Sequence, residues 1–354
     1  MIRVLVVEDS ITVRKRLCEV LAAEADMEVV GEAADGEQAI ERCLALRPDV
    51  LTMDMMLPQM TGLSATEYIM AHCPTPILVI SSSINRGELF STCDALAAGA
   101  VDVLEKPDGH EADGEWERRL VAAVKLVARI RVITHLRGRL GATAQRSLQP
   151  GAPALPIQAH QRSRCGLIAI GASTGGPGAI VEVLRALPPQ VRAPLLLVLH
   201  INEPFGSAFA DWLDGQTPRR VAYARDGELL TAVTGRVVMA PPDHHLLVRD
   251  GRLRLTRDPE RNACRPSVDV LFESMARDGS ATAAAACLLT GMGRDGAAGL
   301  LALRRAGGRT VAQDEATCVV YGMPREAALL GAAERVLPLG EIGPTLAAWA
   351  APAL

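Results

Sequence analysis

At 354 residues the chain is long for a single hydrophobic core, so two domains are the natural expectation. Apolar residues make up 49% and charged ones 22%, an ordinary balance for a globular protein, but only 3% are aromatic, so the core must come from Ala, Val, Leu and Ile. A formal charge of −4 gives no global pull towards nucleic acid or an anionic membrane surface.

The opening segment MIRVLVVEDS has an apolar run of only four residues, Val4 to Val7, and two acids follow at once, which is not a secretory signal. No apolar stretch approaches the ~20 residues of a membrane span, so direct membrane insertion is not expected. The cysteines (Cys18, Cys43, Cys73, Cys93, Cys165, Cys264, Cys287 and Cys318) form no CxxC pair, and most sit inside apolar runs. Buried thiols in a reducing cytoplasm fit that pattern better than disulfides or a zinc site.

From Met1 to about Ala128, short apolar runs alternate with amphipathic stretches. Strands are predicted at Val4–Val7, Val29–Glu32, Val50–Met53, Ile77–Ile80 and Val101–Leu104, with helical patterns such as Val13 to Ala23 and Gly36 to Leu46 between them. Five alternations imply a doubly wound parallel sheet with right-handed crossovers, covered on both faces. Between Arg118 and Arg164 lie ten Arg or Lys residues and no acid. The segment LVAAVKLVARIRVITHL is periodic enough for a helix that finishes the first domain. The following GATAQRSLQPGAPALPIQAHQRS has no period and is expected to be a linker. The domains are therefore placed at 1–128 and 165–354, with 129–164 as helix end and linker. In the second half, strands are predicted at Leu167–Gly171, Leu195–Leu199, Val237–Ala240 and Ala286–Leu289. A hairpin is predicted in HLLVRDGRLRLTR around Asp250-Gly251.

Ligands of a doubly wound sheet collect beyond the carboxyl ends of its strands. In the first domain those ends deliver Glu8 and Asp9, then Asp54, Ser81 and Lys106. Carboxylates so close together repel one another unless a cation lies among them, and their hard oxygens suit Mg²⁺. Asp54 could then attack a phosphoryl donor, with Ser81 and Lys106 pairing the phosphoryl oxygens. Glu8-Asp9, Asp54 followed by Met55-Met56-Leu57-Pro58 and Gly62, Ser81, and Lys106-Pro107 resemble the response-regulator receiver domain, a flavodoxin-like fold. The resemblance implies phosphorylation of Asp54 by a histidine kinase, with Mg²⁺ held by Glu8, Asp9, Asp54 and the carbonyl of Met56. Val103 stands where many receivers carry an aromatic switch residue, so a rotating ring cannot be the signal there.

In the second domain, GLIAIGASTGG ends a strand at Ser173, LLLVLHI places His200 at the next strand end, and ACLLTGMGRDG delivers Asp295 after a third. Nucleophile, base and orienting carboxylate are what ester or amide hydrolysis requires. Gly171, Gly175 and Gly176 permit a tight strand-to-helix turn, and the N–H of Thr174 is a natural oxyanion donor. A dinucleotide-binding turn is the alternative for GASTGGPG, but its spacing departs from GxGxxG, and the next strand ends in His200 rather than an acid. A structural role for His200 also stays open on spacing alone, because the order Ser, His, Asp differs from that of α/β-hydrolases.

The segments IAIGASTGGP, LLLVLHINEPFGSAFADWL, VVMAPPDHHLLV, RPSVDVLFES, LLTGMGRDGAAGL and VAQDEATCVVYGMPREA resemble the catalytic domain of chemotaxis protein-glutamate methylesterase/glutaminases of the CheB type, over about Leu167 to Ala328. The resemblance implies a Rossmann-like α/β domain with Ser173, His200 and Asp295 as nucleophile, base and orienting acid, and Thr174 and the backbone of Met292 near the oxyanion. It implies demethylation of glutamate methyl esters and deamidation of glutamines on methyl-accepting chemotaxis receptors, without a cofactor for the hydrolysis. It further implies control by a chemotaxis-type histidine kinase through a receiver that packs over the triad. His244 and His245 are read as structural. A receiver-linked DNA-binding regulator is disfavoured by the absence of a helix-turn-helix pattern, and a non-catalytic adaptor or phosphate sink by the presence of all three triad residues.

Overall fold

The structure, a computed structural model, describes residues 1–82, 85–107, 114–130, 132, 165–201, 203–279 and 281–351. The predicted linker, apart from its first few residues, lies outside them. In the first half, β1 (Ile2–Val7), α1 (Ile11–Ala22), β2 (Met27–Ala33), α2 (Gly36–Leu46), β3 (Val50–Asp54), α3 (Gly62–His72), β4 (Ile77–Ser81), α4 (Arg86–Ala98), β5 (Asp102–Glu105) and α5 (Glu115–Val127) alternate without interruption. The strands form one parallel sheet in the order β2-β1-β3-β4-β5. All of β3 and β4 is buried, because helices cover both faces. Helices start where short polar side chains accept a first-turn N–H: Ser10 from Val13, Asp35 from Gln38, Thr61 from Ser64 and Asn85 from Glu88.

The second half runs β6 (Leu167–Ala172), α6 (Gly176–Ala186), β7 (Leu195–Leu199), α7 (Phe205–Gln216), β8 (Val221–Tyr223), β9 (Val237–Met239), β10 (His245–Arg249), β11 (Arg252–Thr256), α8 (Val268–Arg277), β12 (Ala284–Leu288), α9 (Ala297–Arg305), β13 (Arg309–Gln313), α10 (Met323–Leu329), β14 (Arg335–Leu337) and α11 (Leu339–Ala350). Seven of these strands make a parallel sheet ordered β14-β13-β12-β6-β7-β9-β8. The strand order turns back at β6, so β12 and β7 flank it and crevices open beyond the carboxyl ends on either side. The predicted hairpin is present as antiparallel β10 and β11, with Asp250 and Gly251 both at positive φ in the turn. The short edge strands β8 and β14, and β13 between β14 and β12, were not anticipated.

Several bounds differ from expectation. The fifth strand begins at Asp102 rather than Val101, and β12 spans Ala284–Leu288 rather than Ala286–Leu289. An alanine run has no polar alternation to mark where it enters the sheet.

The two halves meet along α4, which packs against α6 and α7. Cys93 and Ala97 of α4 join the same apolar core as Ile180, Leu184 and Phe209. Gly178 makes this approach achievable, since a Cβ there would fall 2.6 Å from the carbonyl oxygen of Ala97. Trp212 donates its indole N–H to Asp94 at 2.8 Å, and Arg86 pairs with Asp211 at 2.9 Å across the exposed rim.

Candidate functional site

Three adjacent strands carry the expected residues to one edge. Ser173 follows β6, His200 follows β7, and Asp295 lies in the loop after β12. Backbone bonds continue the ladder past the strands, from His200 N to Ala172 O (3.1 Å) and from Ser173 N to Thr290 O (3.0 Å). Gly175, at φ +75°, caps α6 without a side chain, and Pro177 sits in its first turn, so the helix opens its N-terminal end beside Ser173. The chain turns tightly here because Gly291 passes behind the serine, where a Cβ would lie 2.8 Å from that of Ser173.

His200 Nε2 is 2.9 Å from Asp295 Oδ2. Asp295 is buried and lies against the start of α8, accepting N–H bonds from Val268 (2.6 Å) and Asp269 (3.3 Å). Ser267 Oγ (2.7 Å) and Asn262 Nδ2 (2.9 Å) complete its surroundings. Burial alone would raise the Asp295 carboxyl, but the hydrogen bond and charge of His200, with Asn262 and Ser267, outweigh it and hold it below the usual carboxylate range. An ionised Asp295 can only accept, so Nε2 must donate and the imidazole lone pair points through Nδ1. Burial likewise works against a charged His200, yet Asp295 and then Cys264 prevail and push its pKa up to about 9. Cys264 Sγ sits 3.6 Å from Nδ1.

Ser173 and His200 line one cavity of about 160 Å³, together with Thr174, Gly175, Pro177, Leu199 and Ile201. Its opposite wall comes from the first half: Leu96, Val101, Asp102 and Val103. No hydrogen bond joins Ser173 Oγ to His200 among the described residues. Met292, half-exposed, lines a second cavity of about 600 Å³ beside Asp295, Cys264 and Asn262. No acceptor takes the Thr174 or Met292 backbone N–H among the described residues.

At the edge of the first sheet, one carboxylate oxygen each from Glu8, Asp9 and Asp54 lie within 4.8 Å of one another. Lys106 Nζ is 2.9 Å from Asp54 Oδ2 and 2.9 Å from Glu8 Oε2; only the first contact is aligned as a hydrogen bond. Burial and then the charge of Asp54 raise the Glu8 carboxyl, with Lys106 opposing. Three carboxylates gathered around one lysine, one of them buried and raised by its neighbour's charge, fit a hard cation such as Mg²⁺. Met56 N donates to Asp54 Oδ1 at 3.2 Å. Ser81 faces away from this group: its hydroxyl accepts from Thr92 at 3.0 Å and contacts the buried carboxylate of Glu88 at 3.3 Å.

The reading of His244 and His245 as structural agrees with their partners. His245 accepts from Ser267 N at 3.1 Å and lies 3.2 Å from Pro259 O; His244 contacts Pro242 O and Arg257 Nε. Sequence reasoning missed Asn262, Ser267 and Cys264. Ser267 ahead of an apolar periodic run carried a helix-cap signal, whereas Asn262 and Cys264 lie in a loop without one. Most of the thiols are buried, as expected, while Cys18, Cys73 and Cys264 are only part-buried.

Comparison with known proteins agrees with this division of labour between the two sheets. The family model for the CheB methylesterase matches residues 168–346, and that for the response regulator receiver domain matches residues 4–112. A protein-glutamate methylesterase/protein-glutamine glutaminase of Anaeromyxobacter dehalogenans is 45% identical over 96% of this chain and 95% of its own length. Proteins of the same name from Nitrosospira multiformis and Pseudomonas aeruginosa are 41% and 43% identical, each over 98% of this chain and 96% of their own. With an acidic pocket on one parallel sheet and an imidazole–carboxylate pair beside a serine on the other, the chain belongs to the protein-glutamate methylesterase/protein-glutamine glutaminase family, as a CheB methylesterase domain preceded by a response regulator receiver.

Proposed function

We propose that this chain hydrolyses glutamate γ-methyl esters and deamidates glutamines on methyl-accepting chemotaxis receptors in the cytoplasm, under control of phosphorylation at Asp54. The observation that carries the reading is the His200 ring, bonded to Asp295 on one side and facing the cavity of Ser173 on the other. Ser173 Oγ attacks the side-chain carbonyl carbon, and Nδ1 of His200 takes its proton once the ring has lost the proton that its raised pKa retains. The same proton then leaves with methanol or ammonia, and water releases the acyl group by the reverse route. Thr174 N–H, with Met292 N–H, supplies the oxyanion donors. Asp295 holds the tautomer and balances the imidazolium.

The receiver, taken as residues 1–128 joined through 129–164 to the catalytic part at 165–354, covers this cavity when unphosphorylated. Glu8, Asp9, Asp54 and the Met56 carbonyl would hold Mg²⁺, which offsets carboxylate charge as a phosphoryl group arrives from a chemotaxis-type histidine kinase. Lys106 pairs the phosphoryl oxygens, and Ser81 turns towards them. That turn breaks its contacts with Glu88 and Thr92, both on α4, the helix that packs on the catalytic part. Val103 thus needs no aromatic ring: the hydroxyl and carboxylate network reaches α4 directly. Opening is also what brings Ser173 within reach of Nδ1. A shift of a few kcal/mol in this equilibrium suffices.

The test is methanol release from methyl-labelled receptor cytoplasmic domains, with and without a small-molecule phosphodonor. Ser173→Ala is expected to lose both activities by about 10⁴-fold or more while keeping its fold. Asp54→Asn is expected to lose the stimulation. Substantial esterase activity in Ser173→Ala removes the serine from its role.

A further inference from the structure

Beside the imidazole lies a thiol that hydrolysis does not use. Because Nε2 donates to Asp295, the lone pair of His200 is fixed at Nδ1, and Cys264 Sγ stands 3.6 Å from it. Zinc bonds of ~2.3 Å to sulfur and ~2.0–2.1 Å to nitrogen, at a tetrahedral angle, separate those two atoms by about 3.5 Å. A carboxylate behind a histidine, holding its second nitrogen, is the arrangement that orients metal-bound imidazoles. Asp295 already accepts from His200, Asn262, Ser267, Val268 and Asp269, so it serves as that backing group rather than as a ligand.

We infer that His200 Nδ1 and Cys264 Sγ form a binding site for a soft divalent cation of the Zn²⁺ type, and that its occupation inhibits the enzyme. The adjoining cavity of about 600 Å³ leaves room for water ligands. Thiolate and imidazole select against Mg²⁺ and Ca²⁺, so this site is chemically separate from the Glu8, Asp9, Asp54 cluster. Binding releases the thiol proton and the Nδ1 proton of His200 to solvent. The cation occupies the lone pair that would receive the Ser173 proton, so a bound enzyme cannot form the acyl intermediate. Arg294 lines the same cavity.

Inhibition rests on the function proposed above; binding does not, so the two are measured separately on the full-length chain. Ser173→Ala protein freed of metal and titrated with Co²⁺ is expected to develop a near-ultraviolet thiolate-to-cobalt absorption. Zn²⁺ should abolish it, excess Mg²⁺ should not, and Ser173→Ala/Cys264→Ser should lack it. In the hydrolysis assay, micromolar Zn²⁺ is expected to inhibit reversibly by chelation. Cys264→Ser should need at least tenfold more Zn²⁺ for half-inhibition of its own activity. Absence of the cobalt band, or its persistence without Cys264, overturns the site. A band with unchanged zinc inhibition in Cys264→Ser overturns the inhibitory role. Failure of metal-free wild type to hydrolyse the receptor ester counts against the proposed function alone.

Discussion

The two polar pockets of this molecule occupy equivalent places, beyond the carboxyl ends of parallel strands, and are held together by opposite means. Asp295 is surrounded by donors, two of them backbone N–H groups at the start of α8, and its charge is favoured where it lies even though the buried Asp269 shares the Asn262 amide with it. Around Asp54 three carboxylates crowd one lysine, and burial raises the Glu8 carboxyl. The first pocket supplies its own donors; the second holds a repulsion that Lys106 offsets only in part and that a cation would offset further. A catalytic group is served by preorganisation, while a switch is served by leaving its charges unbalanced.

That contrast can be broken most severely at Asp295. Asp295→Asn keeps the shape but removes the charge that fixes the His200 tautomer, and hydrolysis in the presence of phosphodonor is expected to fall about 10⁴-fold. A loss below tenfold would show that the donors around Asp295 are not there to serve the imidazole.

A third acid sharpens the comparison, because it has neither arrangement. Asp102 faces the cavity shared with Ser173 and His200, and its carboxylate accepts only the N–H of Val103, at 2.8 Å, among the described residues. Burial raises its pKa, so the closed arrangement favours the protonated form. Its contribution to closure is fully present below the ordinary carboxylate range and is lost as pH rises through the raised value. The ratio of unphosphorylated to phosphodonor-stimulated activity should therefore climb severalfold across that window, and Asp102→Asn should flatten it. An identical pH dependence of the ratio in the two proteins rules this out.

The smallest effect is expected in stability. Glu8→Gln removes one of the repelling carboxylates and should raise the thermal midpoint of the metal-free chain slightly, on the order of 1 kcal/mol. Asp295→Asn should lower it. Shifts of the same sign in the two variants would erase the distinction drawn between the pockets.

Much of this was legible in the amino-acid order, for a definite reason. Ser173, His200 and Asp54 each end a largely apolar buried run, and a polar residue ending such a run in a parallel sheet has to emerge at its rim; Lys106 was legible instead from its place after the fifth strand. What could not be read lies where no period operates. Asn262 and Cys264 reach His200 and Asp295 through a loop that includes two residues at positive φ, Asn262 and Ala263. Glu88, given no role from sequence, is buried against Ser81 and Ser82, and that placement depends on how α4 docks. The strands β8, β13 and β14 are short or begin at arginine, so their composition resembled that of loops.

Gly178 gives the joint between the two halves its mechanical character. With bare backbone of α6 against the Ala97 carbonyl, no side chain stands between them to act as a cushion. Helices in such contact cannot slide by fractions of an ångström and stay seated: they mesh or they separate. On the function proposed above, a small rotation of α4 would therefore pass directly to α6, whose first residues follow Ser173 by only a few positions.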